Sequence, residues 1–477
     1  MRFAAILVLA GVLLAGGFAL AQPAHAPYAP AEVRVEDAAA VRRLARLEID
    51  IDRVRAGWAR VYVTQEEFSA LQAAGWEIGW IPDEAAAAWK ALHEAGLKAN
   101  DPLMAYHTFA EMTALLQGWA TQYPEIMRLT SIGSSVQGRA LWMVKITDNP
   151  DVEEDEPEFK YIATMHGDEI LGTEVMLDLI RRLLEGYGTD ERLTNLVDET
   201  VIWIMPMMNP DGWEASPPVR RNANNVDLNR NFPRWACTDA NTTTGRQAET
   251  AAVMNWSATR FETLSANLHG GEMVANYPLD ECSTCNNFSC TVSISQDDDV
   301  FQAVSRAYSF AHGRMWQSTE FVDGITNGAA WYPVYGGMQD WNYRYMGCME
   351  ITLELEDEKI PSLQRLPGLI AENREAVVAY MEWVHRGVRG IVRDAHTGAP
   401  LGARVRLGGR AFTTRTNPAV GNFHRVAMPG TYSLHVEADG YLPATITGVV
   451  VTAGEATRVN VNLVREGANA FDAWAVH

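Results

Sequence analysis

Three side chains have the types and spacing to share one metal ion: His166, Glu169 and His269. The apolar run 160–165 leads into His166-Gly167-Asp168-Glu169, with Gly167 allowing a tight backbone turn. A histidine followed three residues later by a carboxylate, at the opening of a helix, can aim both groups at one ion. His269 ends a second apolar run, 264–268, and precedes the flexible pair Gly270-Gly271. Two histidines and one glutamate leave a fourth position open for water, which describes a catalytic rather than a structural zinc. His-x-x-Glu alone arises by chance in many chains, where the histidine is simply buried and hydrogen-bonded.

Elements able to position these groups begin near Tyr106, where apolar runs alternate with amphipathic stretches. The patterns predict strands at 140–146, 160–165, 201–207, 264–268 and 349–355, and helices at 173–184, 247–257, 300–311 and 366–386. Such alternation implies an α/β domain with a parallel or mixed sheet, over 101–386. Ligands bind such sheets where strands end, and both ligand-bearing runs end there. Residues 27–100 are Ala-rich and acidic, with strand-like stretches at 59–64 and 76–81 around a helix at 65–74. They read as a small α+β unit, either a removable pro-segment or a permanent accessory domain. Residues 387–465 carry short alternating strands (390–393, 403–407, 432–438, 444–451, 458–463) between turns such as Pro429-Gly430 and Asp439-Gly440. That is an all-β sandwich, followed by a tail at 466–477.

The 477 residues exceed one ordinary core, and 47% hydrophobic with 21% charged residues fits a soluble globular protein. A net charge of −21 excludes a nucleic-acid partner, because phosphates would be repelled. Met1-Arg2, the apolar run 4–20 and the small residues of Ala19-Leu20-Ala21 or Ala24-His25-Ala26 make 1–26 a secretory signal peptide. An uncleaved anchor is the alternative, since the run is only marginally long enough to span a bilayer. The expectation is a secreted or periplasmic monomer, free of the membrane once the signal is removed. Of the five cysteines, at least one must stay unpaired within the chain. Cys282, Cys285 and Cys290 lack a fourth donor and regular spacing, so a loop pinned by disulfides is expected rather than a second metal site.

Further blocks make the pattern specific. They are Asn209-Pro210-Asp211-Gly212, Asp227-Leu228-Asn229-Arg230-Asn231-Phe232-Pro233, Asn267-Leu268-His269-Gly270-Gly271 and Ala275-Asn276-Tyr277-Pro278. Thr326-Asn327-Gly328, Trp331-Tyr332-Pro333, Gly336-Gly337-Met338-Gln339-Asp340 and Glu350-Ile351-Thr352-Leu353-Glu354-Leu355 follow. In this order, over roughly 106–385, they resemble the zinc metallocarboxypeptidases, and most the regulatory subfamily typified by carboxypeptidases N, E, M and D. The β-sandwich resembles the transthyretin-like domain of that subfamily. The resemblance implies a mixed eight-stranded sheet flanked by helices, and one Zn2+ per chain on His166, Glu169 and His269. It implies peptide or protein C-termini as partners, with Glu354 as the general base on the attacking water. Arg230 with Asn229 would take the terminal carboxylate, Arg220 the oxyanion, and Tyr332 would close over the substrate. Gly336-Gly337 would supply loop flexibility there. Asp280, together with Gln339, would select a C-terminal Lys or Arg.

Read without the resemblance, Glu354 is one polar residue on an alternating strand. Arg220-Arg221 is then a solvated pair, Tyr332 packs, and Asp280 is a loop acid beside Glu281. Glu356 and Asp357 depart from the subfamily's Ser-Cys, and Glu272 stands where a serine is usual. The two extra carboxylates are expected to raise the pKa of Glu354. A cell-wall or other amide hydrolase on the same scaffold, and a non-catalytic peptide-binding relative, are the competing readings.

Overall fold

The computed structural model describes residues 28–95, 105–287, 290–410 and 412–467. The 1–26 signal segment and nearly all of the tail lie outside them. The strands are β1 (Ala29–Arg34), β2 (Asp50–Arg55), β3 (Trp58–Val63), β4 (Ile78–Trp80), β5 (Met127–Ser134), β6 (Ala140–Ile146), β7 (Glu158–Ala163), β8 (Val201–Met205), β9 (Glu262–His269), β10 (Glu272–Tyr277), β11 (Ile325–Asn327) and β12 (Met349–Glu356), before those of the C-terminal sandwich.

Strands β5 to β12 form one eight-stranded mixed sheet in the order β11-β10-β12-β9-β7-β8-β6-β5. The four central strands run parallel, while β10 joins β12, and β6 joins β8, antiparallel. Every residue of β7, β9 and β12 is buried. Their buried polar residues answer one another: Lys160 donates to Glu262, and Ser265 and Asn267 donate to Glu350. One face packs Tyr161, Ala266 and Leu353 against helices Leu171–Gly186, Asp298–His312 and Leu366–Met381. On the other face, Ile162 and Met205 pack against Val253 of helix Ala248–Ser257 and against Trp341.

The N-terminal unit is a four-stranded sheet, order β2-β3-β1-β4, with its own core around Val33, Leu44, Val61 and Phe68. Thr64 and Glu67 cap the helix Gln65–Ala73 reciprocally. Residues 387–464 form two further four-stranded sheets enclosing Val392, Val405, Phe423 and Leu434.

The elements expected at 140–146, 247–257 and 444–451 match within a residue at each end. The helix expected over 366–386 instead stops at Met381 and tightens into a 3-10 turn, Glu382–His385. His166 to Glu169 form a turn ahead of the helix, which begins only at Leu171. Gly167 is needed for close approach rather than for turning. A Cβ there would lie 2.3 Å from the carbonyl carbon of Gly212, so the two motif loops can touch only through glycine.

Cys237 pairs with Cys285 and Cys282 with Cys290, leaving Cys348 free and buried. The expected pinned loop and odd thiol are thus accounted for.

Candidate active site

β7 and β9 are parallel neighbours, so their ends deliver His166 and His269 to the same edge of the sheet. β12 runs parallel to β9, with Glu354 in register with His269. Three strand ends therefore set three of the expected groups side by side, because parallel strands end at one edge.

His166 Nδ1, His269 Nδ1 and Glu169 Oε2 converge, at 2.9 Å from His166 to Glu169, 2.8 Å from His269 to Glu169 and 3.0 Å between the nitrogens. All three residues are buried. Two ring nitrogens and a carboxylate oxygen this close form a cation's donor set, and His269 Nε2 has no partner among the described residues. Burial, then His166, push the pKa of His269 down to about 4, which keeps it neutral as a metal ligand must be. His166 Nε2 lies 3.1 Å from Asp227 Oδ1, the carboxylate–histidine pairing that orients metal-binding imidazoles. Burial opposes the charge on Glu169, but His166 and Lys359 outweigh it and hold its pKa well below the usual range. The three residues fit a zinc ion.

Around them, one pocket is lined by Arg220, Asn229, Arg230, Asn276, Asp280, Tyr332 and Glu354 together with the three ligands. Gln339 is not among the lining residues; it is buried and close enough to Asp280 to lower that residue's pKa. Arg220 is buried, donates through Nε to Asp227 Oδ2 at 3.1 Å, and lies 3.2 Å from Glu169 Oε1. Arg221 instead pairs with Asp50 at 2.6 Å, so the arginine facing the ligands is Arg220. Arg230 donates to the carbonyl oxygens of Asn229 and Ile51 at 3.1 and 3.0 Å, and its nearest carboxylate, Asp50, is 3.9 Å away. Asn229 Oδ1 accepts from the backbone N–H of Met338 at 2.9 Å, which fixes the amide's orientation.

Burial raises the pKa of Glu354 well above the usual carboxylate range, with Glu169 and Asp52 adding to it. The expected contributors, Glu356 and Asp357, are not among the causes. Glu356 pairs with Arg314 and Arg365, and Asp357 with Arg55, so their charge is spent elsewhere. Gly336, expected to lend flexibility, is packed: a Cβ would sit 2.8 Å from the Arg230 carbonyl oxygen.

Three groups in this site had no assigned role in the sequence reading. Asp227 holds both His166 and Arg220. Lys359 donates to Glu169 Oε1 at 3.0 Å and lies 3.3 Å from Asp168. Asp340 accepts the backbone N–H groups of Asp280 and Glu281 at 3.0 and 2.9 Å and so shapes the pocket floor. Asp227 and Asp340 lie in motifs already quoted, yet only folding reveals their partners.

A mixed eight-stranded sheet carrying two histidines, a glutamate and a further buried carboxyl, Glu354, at its strand ends is the arrangement of the metallocarboxypeptidase class. Residues 112–376 match the zinc carboxypeptidase family, and 387–464 match the carboxypeptidase regulatory-like domain. The chain belongs to the zinc carboxypeptidase family. It is 43% identical over 378 residues to carboxypeptidase D of Homo sapiens, covering 76% of this chain and 27% of that protein. It thus spans about a quarter of the length of the carboxypeptidase D relatives it matches. It is 38% identical over 407 residues to the carboxypeptidase N catalytic chain of Mus musculus, covering 77% of this chain and 87% of that one. The fold is shared with the crystal structure of carboxypeptidase A from Helicoverpa armigera, at TM-score 0.60 and 19% identity over 74% of this chain and 96% of that chain.

Proposed function

We propose that the protein is an exported zinc metallocarboxypeptidase that removes a C-terminal Lys or Arg from peptides or proteins, acting as a monomer. The observation that carries the specificity is the pocket beside the metal ligands. Asp280 is buried there, accepts from the Asn276 amide at 3.3 Å and has the Gln339 amide beside it, with no cation bonded to it among the described residues. Asn276 Oδ1 and both amide atoms of Gln339 are buried without a hydrogen bond among the described residues. A cationic side chain would donate to Asn276 Oδ1 and pair with the Asp280 carboxylate, while an apolar one would leave both unanswered. The family match supports the reaction class. Among the described residues, no helix is long and apolar enough to cross a membrane.

A zinc ion held by His166, Glu169 and His269 would polarise the scissile carbonyl and make water nucleophilic. Glu354 takes the proton from the attacking water and passes it to the leaving amine; its raised pKa suits a base that must also act as an acid. Arg220 faces the ligands and stabilises the developing oxyanion. Arg230 takes the terminal carboxylate through paired N–H donors, with the Asn229 amide beside it. Tyr332, buried in the pocket lining, closes over the substrate backbone.

The test is hydrolysis of blocked dipeptides ending in Arg, Lys, Phe or Glu by the zinc-loaded chain. Release of Arg and Lys well ahead of Phe and Glu supports the reading. A preference for Phe or Glu would keep the reaction and reject the pocket assignment.

A further inference from the structure

Glu272 stands where serine is usual in the subfamily, and the roles proposed above leave it unused. It opens strand β10, three residues beyond His269, and lines the pocket of the three metal ligands. Side chains alternate along a strand, so Glu272, Val274 and Asn276 share one face of β10. Asn276 donates to Asp280 beyond one end of that strand, and Val274 lies in register with Glu354. Glu272 therefore sits at the other end, about 7 Å along the strand from the level of Glu354, at roughly 3.3 Å per residue. A peptide with its last side chain in the Asp280 pocket and its scissile bond at Glu354 leads its preceding residues toward Glu272. In an extended peptide, about 7 Å is the span of two residues.

Negative charge is in excess around Glu272. Its Oε1 accepts the backbone N–H of Met273 at 3.1 Å, whereas Oε2 is buried and meets no donor among the described residues. Glu320 and Asp357 gather about the same guanidinium: Arg55 lies 3.8 Å from Glu272, 2.8 Å from Glu320 and 3.1 Å from Asp357. No other cation among the described residues forms a salt bridge with these three carboxylates. Burial, then the Asp357 carboxylate beside it, push the pKa of Glu272 up to about 7. The group is open on one side, since the side chains of Arg55 and Asp357 are 43% and 44% exposed. A second cation can reach it from solvent with Arg55 in place.

We infer that Glu272, with Glu320 and Asp357, forms a second cation-selective subsite, so that preferred substrates carry Lys or Arg within the two residues preceding the one released. This rests on the reading of the Asp280 pocket as the site of the terminal side chain. A cationic side chain answers Glu272 Oε2 and the surplus charge, whereas an acidic one adds a fourth carboxylate and is repelled.

The test uses the full zinc-loaded chain at about pH 8, where Glu272 is ionised. Blocked peptides end in Arg and carry Lys, Ala or Glu at the first or second position before it. At the better-placed position, kcat/KM for Lys is expected to exceed that for Ala by about fivefold or more, with Glu slower than Ala. Glu272→Ser is expected to bring the Lys-to-Ala ratio within about twofold of one. Glu320→Gln alters a more exposed side chain, so it carries the test if Glu272→Ser fails to fold, and it should about halve the ratio. A ratio near one in wild type, or one unchanged in the folded variants, overturns the proposal. The same peptides are titrated calorimetrically into the zinc-loaded Glu354→Gln chain, with and without Glu272→Ser, to read binding without turnover. A Lys preference in binding that Glu272→Ser removes, with no residue released by the wild type, would uphold the subsite and reject the peptidase reading. Release of Arg with no Lys preference would reject the subsite alone.

Discussion

Asp280→Asn changes one buried charge and leaves the shape of the pocket. Removing one partner of a buried, hydrogen-bonded ion pair costs about 2–5 kcal/mol, much of it from stranding the other charge. Here the lower end applies. Burial, then Asp340, hold the pKa of Asp280 well above the usual carboxylate range, so pairing with a cation must first expel a proton. Each pKa unit above the working pH consumes about 1.4 kcal/mol of the pairing energy. A net loss of about 2–3 kcal/mol corresponds to a fall of roughly 30- to 150-fold in kcat/KM for an Arg-terminated substrate. The rate for a Phe-terminated substrate should change by less than about threefold, since no cation is lost. The sign with pH follows: the Arg-to-Phe ratio of the wild type rises with pH as Asp280 ionises, and the Asn variant's ratio stays flat. Steady-state kinetics on both dipeptides from pH 6 to 9 gives the answer. Equal losses for Arg and Phe, or a ratio that shifts less than twofold, would refute the pocket reasoning.

Other consequences are open to simpler measurements. His269→Ala removes one of three ligands, so metal analysis of the purified variant should show less than one zinc per chain, against one for wild type. Stripping zinc from the wild type should lower its melting temperature, as loss of any ligand bound only by the folded state must; an unchanged melt would argue against tight binding. Gly167→Ala puts a methyl 2.3 Å from Gly212 backbone and should disrupt the ligand turn, read as lost zinc and a lower melting temperature. Glu156 is pushed up to about 7, chiefly by burial and also by Asp148 and Glu154, although Thr147 donates to it. A carboxyl with a raised folded pKa loses stability as pH climbs from its ordinary value to the raised one, so wild type should weaken between pH 4.5 and 7. Glu156→Gln should flatten that decline in thermal melts; an identical decline would exclude Glu156 as its source.

The legible parts of the chain were those governed by one strong physical signal. β7, β9 and β12 are buried along their whole length, and the apolar residues clustered in β7 and β9 marked the strands that lead to His166 and His269, whereas Glu354, on an alternating strand, stood out only through the family resemblance. β2 was invisible for the opposite reason. Its Asp-Ile-Asp-Arg-Val-Arg reads as surface, because its charges are answered by Arg220, Lys359 and Asp357, far away in sequence. Helix Phe109–Gln122 was missed although Thr108 and Glu111 form a capping box, a signal that could have found it. β10 was quoted only as motif text: its Glu272-Met273-Val274-Ala275-Asn276-Tyr277 is short and mixed in polarity. Lys359 and Asp227 could be seen as residues but not as partners, since their meaning lies in long-range ion pairs.

The central claim is that Glu354 works beside a zinc ion held by His166, Glu169 and His269. Glu354→Gln tests it most directly when zinc content and C-terminal residue release are measured together. The account predicts one zinc retained per chain and kcat for Arg release reduced by about 10²–10⁴-fold. Release at an undiminished rate, with zinc in place, would contradict it.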